Sequence, residues 1–319
     1  MSASAMQPPK RAGAPLVVAA AALDGGFALF LIAVQAFFPS VLDTRAPHRE
    51  DVEWAAVDLL SDDVADALAE TEAVFHLAAA ADVNDVYAAP VESVALNSLA
   101  TVRLLEAARR AEAGRVLLAS TVWVYAASRQ PVVDETTCFE PESDRHLYVS
   151  TKIAAELFCR DYHTLYQRPY TILRYGIPYG PRMRDNLVIA AFIRRALRGE
   201  SIRIDGDGRQ ERFFVYVEDL ARAHVLALDP RAEGRTYNLD GSRPVSIREI
   251  AETVKELVGD VTVEYGPARP GDLAARVVRC DRAREELGWE PSVSFGEGLG
   301  RTLAWYRERL RAEQAVGVG

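Results

Sequence analysis

The chain has 319 residues, 49% hydrophobic and 26% charged, the balance of a globular protein with room for roughly two domains of about 150 residues. That balance excludes intrinsic disorder, collagen-like repeats and a disulfide scaffold. Lys and Arg total 37 against 46 Asp and Glu, a net charge of −9, which disfavours nucleic acid as a partner because a phosphate backbone calls for a basic face.

Residues 1–13 read as a loose N-terminus. An apolar stretch runs from Leu16 to Phe38, preceded by Lys10 and Arg11 as in a membrane anchor or export signal. Asp24, Gly25 and Gly26 interrupt it near its centre, where a charge in a membrane helix costs about 2.5–3.5 kcal/mol. The stretch is therefore taken as a buried strand at 16–21, a turn, and a buried helix ending before Pro39. Further strands are predicted at 40–42, 54–57, 73–77, 116–119 and 170–175. Helical patterns lie between them, such as 98–111 with Leu99, Val102 and Leu105 on its apolar face. Continuous apolar strands separated by helices imply βαβ units and a parallel sheet covered on both faces. Ligands of such sheets sit beyond the carboxyl ends of the strands.

After Tyr175 the pattern changes. Pro178, Gly180 and Pro181 mark a loop, followed by a helix at 187–197, a turn at Gly206-Asp207-Gly208 and a strand at 213–217. Tyr237-Asn238-Leu239 is the last strand of the main sheet. Ser246-Ile247-Arg248-Glu249 is a capping box that opens a helix with Ile247, Ile250, Val254 and Leu257 on one face. Asp281 caps a further helix and Gly288 ends it. The division expected is 14–175 plus about 213–240 for the main sheet, 176–212 and 241–313 for a smaller lobe, and a loose tail at 314–319. Cys138, Cys159 and Cys280 are odd in number and form no C-x-x-C pair, so they read as reduced thiols in a cytoplasm. His48, His76, His146, His163 and His224 show no metal-ligand spacing.

The chemistry concentrates in two places. Lys10, Lys152 and Lys255 are the only lysines among the 37 basic residues, and Lys152 follows Tyr148 by four positions. On a helix such a pair shares a face. A cation within about 4–6 Å lowers an acid's pKa by 1–3 units, which brings a tyrosine from about 10 toward general acid/base range. Upstream, the strand at 116–119 runs into Ser120-Thr121-Val122-Trp123, with hydroxyls at the edge where ligands bind.

Together these residues carry a resemblance. Ala119-Ser120-Thr121-Val122-Trp123-Val124-Tyr125, Tyr148-x-x-x-Lys152 and Leu173-Arg174-Tyr175-Gly176-Ile177-Pro178-Tyr179-Gly180-Pro181-Arg182 follow in order. So do Gly206-Asp207-Gly208, Arg212-Phe213-Phe214-Val215-Tyr216-Val217-Glu218-Asp219, Arg269-Pro270-Gly271-Asp272 and Leu287-Gly288-Trp289-Glu290-Pro291. Over residues 14–310 the chain resembles the extended short-chain dehydrogenase/reductase family, in its nucleotide-sugar epimerase/dehydratase branch.

The resemblance implies a Rossmann-type doubly wound α/β sheet with a smaller C-terminal substrate-binding lobe, NAD as cofactor, a nucleotide-diphosphate sugar as substrate, and a cytoplasmic homodimer formed through a helix pair. It implies 4-epimerisation by transient oxidation of the sugar. Tyr148 would be the acid/base, Lys152 would lower its pKa and hold the nicotinamide ribose, and Thr121 would bond the reacting oxygen. Val122 follows Thr121 in the substrate site, and Arg212 and Arg269 would grip the diphosphate. Asp43 would take the adenosine ribose hydroxyls. Asp58 and Leu59 would contact adenine, Leu77, Ala78 and Ala79 would line the cofactor groove, and Asn97 would stand near it.

The sequence departs from the family at the phosphate loop. Where the family reads T-G-x-x-G-x-x-G, an ungapped count back from Asp43 gives Val18 to Gly25, with Ala19 and Ala22 at the first two glycines and only Gly25 at the third. Weak NAD binding, a different backbone path and an altered reading of residues 19–40 at gene level are the alternatives. Val122-Trp123 replace the Asp-Glu of dehydratases, which argues against water elimination; Ile177 stands for the usual Asn and Ala126 for a Gly. The competing readings are a reductase, decarboxylase or dehydratase on the same scaffold, or a catalytically impaired relative.

Overall fold

A computed structural model describes residues 16–19, 40–44, 53–140, 146–267 and 276–316. Seven strands form the main sheet: β1 (Leu16–Ala19), β2 (Ser40–Asp43), β3 (Glu53–Ala56), β4 (Ala73–His76), β5 (Arg115–Thr121), β6 (Tyr170–Tyr175) and β7 (Arg235–Leu239). Their order is β7-β6-β5-β4-β1-β2-β3 and every pairing is parallel. Chain order therefore reverses between β1 and β4, the switch point of a doubly wound sheet, where a crevice opens at the carboxyl edge.

Adjacent strand residues point to opposite faces, and both faces here are apolar. Val74, Val116, Leu118 and Ile172 pack under helices α1 (Ala100–Arg110) and α2 (Leu147–Tyr166). Their neighbours Phe75, Leu117 and Leu173 pack under helix α3 (Val217–Leu226) and Trp289. Trp289 is fully buried, and its indole N–H donates to the Asp219 carbonyl at 2.8 Å. A separate apolar cluster unites helix Val188–Leu197, helix α4 (Ile247–Val258) and Leu299, Leu303 and Tyr306 of the last helix. Strands Ile177–Tyr179, Glu211–Tyr216 and Pro244–Ser246 make a small sheet beside it.

The predicted elements recur with shifted ends. Strand β5 extends to Thr121, so Ser120 and Thr121 lie inside the ladder. Val217 opens helix α3 instead of closing the strand before it. Ser246 caps α4 by accepting the Glu249 N–H at 3.0 Å, but Leu257 is exposed, and the buried face is Ile250, Ala251 and Val254. Leu99 is a clearer correction. A π-turn at Ala95–Leu99 precedes α1, and this wider turn rotates the residues after it relative to a regular helix. Leu99, the last residue of that turn, is 53% exposed, while Ala100, Thr101, Leu104, Leu105 and Ala108 make the core face. Asp281 is the first residue of its helix instead of the cap, which is Cys280; Gly288 ends that helix in the left-handed conformation, as expected. Of the apolar N-terminal stretch, 20–39 lies outside the described residues. Among the described residues no helix is long and apolar enough to cross a membrane.

Candidate active site

Helix α2 presents Tyr148, Lys152 and Glu156 at successive turns of one face. Strand β5 ends in Ala119, Ser120 and Thr121, and each of these three meets one of the helical three. The buried Lys152 ammonium donates to the Ala119 carbonyl at 2.9 Å. Ser120 Oγ donates to Glu156 Oε1 at 2.6 Å. The Thr121 hydroxyl lies close enough to the Tyr148 phenol to favour its ionised form. Strand and helix are thus pinned along one face of α2.

Glu156 is fully buried and its remaining valences are filled by cations. Arg174, itself buried on β6, donates Nε to Oε1 at 2.8 Å and Nη2 to Oε2 at 2.6 Å; Arg160 adds a contact at 3.3 Å. Arg174 also donates to the Tyr125 hydroxyl, which in turn donates to Asn238 Oδ1 at 2.9 Å on β7. One polar chain therefore links α2 to the carboxyl ends of three strands.

Burial pulls the Lys152 ammonium down to about 8, against the opposing pull of the Glu156 carboxylate. Burial pushes the Tyr148 phenol up to about 12, against the Arg184 cation and the Thr121 hydroxyl. Arg184 is thus a cation that acts on Tyr148 and that the sequence did not point to. A buried ammonium must find an acceptor, and Lys152 finds it on β5. Arg184 is held by Asp82, Nη1 to Oδ2 at 2.8 Å, and Asp82 caps the short helix Val83–Ala88. The second arginine of Arg182-Met183-Arg184 was the available signal for it.

The residues assigned to the cofactor lie on the β1–β4 side. Asp43 ends β2, buried, and its carbonyl accepts the Val57 N–H at 3.1 Å. Asp58 Oδ1 accepts the Leu60 N–H at 2.8 Å, and Leu59 between them is buried. Leu77, Ala78 and Ala79 leave β4, all buried. Asn97 is buried in the π-turn, accepts the Ala80 N–H at 2.7 Å, and donates to Ala80 O and to Thr151 Oγ1, both at 3.0 Å. It ties the exit of β4 to the start of α2. His76 contacts Thr101 Oγ1 through Nε2 at 2.8 Å and is held near 3 by burial and by the Lys152 charge, hence neutral. Its Nδ1 is buried with no partner among the described residues. The carboxylate at the end of β2 flanks the switch point and can accept from the ribose hydroxyls of a dinucleotide, so the residues present fit one. Gly25 lies outside the described residues.

On the other side, a cavity of about 530 Å³ opens beside β5, lined by Val122, Tyr125, Ile177, Arg212, Asp240 and Arg276 among others. Val122 and Arg212 are there as expected; Arg269 lies outside the described residues. Arg276, whose Nη1 donates to the Tyr125 carbonyl at 2.6 Å, and Asp240 went unnoticed in the sequence. The only hint was an acidic residue directly after the last strand.

A family model described as the NAD dependent epimerase/dehydratase family matches residues 38–240. The chain is 32% identical over 274 residues to a UDP-glucuronate 4-epimerase of Thermodesulfobacterium geofontis, covering 84% of each. It is 32% identical to a UDP-glucose 4-epimerase of Mycolicibacterium smegmatis, over 83% of this chain and 86% of the other. In structure it resembles a UDP-glucose 4-epimerase of Thermotoga maritima solved with UDP-glucose, with a TM-score of 0.82 and 28% identity over 92% of this chain and 99% of that one.

Proposed function

Because the chain belongs to the NAD dependent epimerase/dehydratase family, we propose that it is a nucleotide-sugar 4-epimerase whose catalytic residues are Thr121, Tyr148 and Lys152. The observation that carries this is the seating of the Tyr148/Lys152 face of α2 on the carboxyl edge of β5, Lys152 donating to the Ala119 carbonyl at 2.9 Å, beside a cavity of about 530 Å³. Asp43 would hold the adenosine ribose of NAD and Asp58 with Leu59 its adenine. Leu77, Ala78 and Ala79 would line the groove, and Lys152 would hold the second ribose. When bound, NAD supplies a reversible two-electron oxidant beside the sugar carbon. Tyr148 takes the proton from the 4-hydroxyl, Thr121 bonds the same oxygen, and Tyr148 returns the proton once the ketone has turned its other face. Arg184 is a cation this chain contributes toward ionising a phenol that burial keeps protonated, and the family's mechanism would give Lys152 the same effect. Arg212, and Arg269 with it, would bind the diphosphate bidentately. Val122 and Trp123 supply no acid for water elimination, which favours epimerisation over dehydration.

The division into a cofactor domain (14–175 with about 213–240) and a substrate lobe follows from the same reading, as do a cytoplasmic location and a homodimer formed through α1 and α2. Support for the dimer is the apolar surface left open on α2 and at the turn into α1, Leu157, Leu165 and Tyr166 with Leu99. The test is C4 inversion of UDP-glucose and UDP-glucuronate followed by NMR, with NAD released on denaturation as a second readout. Tyr148→Phe should lose at least about 100-fold in kcat while melting like the parent, because acid/base groups contribute 10²–10⁴-fold. Retention of more than about a tenth of the activity would remove Tyr148 from the role.

A further inference from the structure

We propose that Asp240 sets the sugar specificity of this site: it accepts a hydrogen bond from a hydroxyl or amino group of the sugar and excludes sugars that carry a carboxylate there. The inference rests on the nucleotide-sugar reading and deepens it.

Thr121, Tyr175 and Leu239 stand side by side in register at the carboxyl edge of β5, β6 and β7. Gly176 and Asp240 are the residues immediately after β6 and β7, joined by the Gly176 N–H donating to the Leu239 carbonyl at 2.8 Å. They fit only as a pair. A Cβ on Gly176 would lie 1.9 Å from Asp240 Oδ1 and 2.7 Å from its Cγ, so the carboxyl occupies the volume that any side chain at 176 would need. The loop holding Asp240 is equally tight, since a Cβ on Gly241 would lie 2.3 Å from the Phe214 carbonyl.

The carboxyl has little structural use. Asp240 is 3% exposed, yet the hydrogen bond its Oδ1 accepts comes from the adjacent Gly241 N–H at 2.8 Å, and no cation pairs with it among the described residues. Burial raises its pKa to about 7, with only that N–H pulling the other way. A buried carboxyl without a countercharge costs stability, and such a group is accounted for when it serves a ligand. It lines the cavity together with Val122, the residue after Thr121. Once ionised it attracts hydrogen-bond donors and repels a carboxylate that lies nearer to it than to Arg212 and Arg276 on the same cavity. Relatives of both kinds exist, for UDP-glucuronate and for UDP-glucose, and Asp240 places this chain with neutral or amino sugars.

The experiment is calorimetric titration of the NAD-loaded protein with UDP-glucose and with UDP-glucuronate at pH 8, where Asp240 is mostly ionised, in the parent, Asp240→Asn and Asp240→Ser. The parent should bind UDP-glucose at least about tenfold more tightly than UDP-glucuronate. Asp240→Asn keeps the shape and removes the charge; it should bring the two within about threefold, chiefly by tightening UDP-glucuronate. Asp240→Ser should narrow the ratio likewise, and a melting temperature at or above the parent's identifies each variant as folded. An unchanged ratio in folded variants, or a parent that prefers UDP-glucuronate, overturns the inference and leaves the epimerase reading standing. A parent that binds neither sugar overturns both.

Discussion

Tyr148 and Lys152 share a face of α2 but answer to different partners, and that separation sets what each side chain can do. The Lys152 charge is spent on the Ala119 carbonyl and steadied by Glu156. The Tyr148 phenol is influenced instead by Arg184, across from it on the loop after Tyr179. A cation favours the phenolate, so its removal raises the Tyr148 pKa and moves the rising limb of kcat/KM to higher pH. For Arg184→Met we expect a displacement of about 0.5–1 pH unit, with Arg184→Lys restoring most of it. The pH profile of the two variants decides the matter: coincidence of the Met variant with the parent would take Arg184 out of the tyrosine's surroundings. The same arginine is bonded to Asp82, so a melting curve should accompany the profile.

At the scale of the element, α2 works as a ruler laid against β5. Its contacts to Ala119, Ser120 and Thr121 fall on residues four apart, so a sound helix and a sound strand suffice to place the catalytic pair. The contact nearest the middle of the helix extends into a buried ion pair, Glu156 with Arg174. Such a pair adds little over an apolar substitute, but breaking it strands a charge and costs about 3–5 kcal/mol. Glu156→Gln should therefore lower the unfolding free energy by about that amount in urea titration, and lower kcat more than it raises KM, because the helix loses its register on the strand. A loss below about 1 kcal/mol would show that Arg160 and Ser120 hold α2 without it. The element scale also explains the error over Leu99. Its apolar side chain suggested a core position, but the buried stripe of α1 runs through Thr101, Leu104, Leu105 and Ala108, on the other side of the helix from Leu99.

For the whole molecule, the exposed apolar residues of α2 lead to the next prediction. Leu157 is 45% exposed on α2 and Leu165 69%, while the same helix buries its opposite face against the sheet. A homodimer would cover them. Light scattering should give twice the chain mass for the parent, and Leu157→Glu, which sets two carboxylates against each other across a two-fold interface, should shift the protein toward monomer with its melting temperature little changed. A monomeric parent at micromolar concentration would refute the arrangement.

Much of this protein was legible in its residues. Alternating apolar strands and helices identify a parallel sheet, since a strand buried on both faces has no reason to alternate in polarity. The run 170–175 was placed to the residue. Spacing put Tyr148 and Lys152 on one helix face, and the resemblance to the family then marked them and Thr121 as the candidate catalytic residues. What the residues could not reveal depends on contacts between distant segments. The acceptor of the Lys152 ammonium, the reach of Arg184 to Tyr148 and the fit of Asp240 into the space left by Gly176 join positions 33, 36 and 64 residues apart in the chain. Periodicity carries no information about such pairs; only the order in which the strands lie side by side brings them together, and that order is a property of the folded sheet.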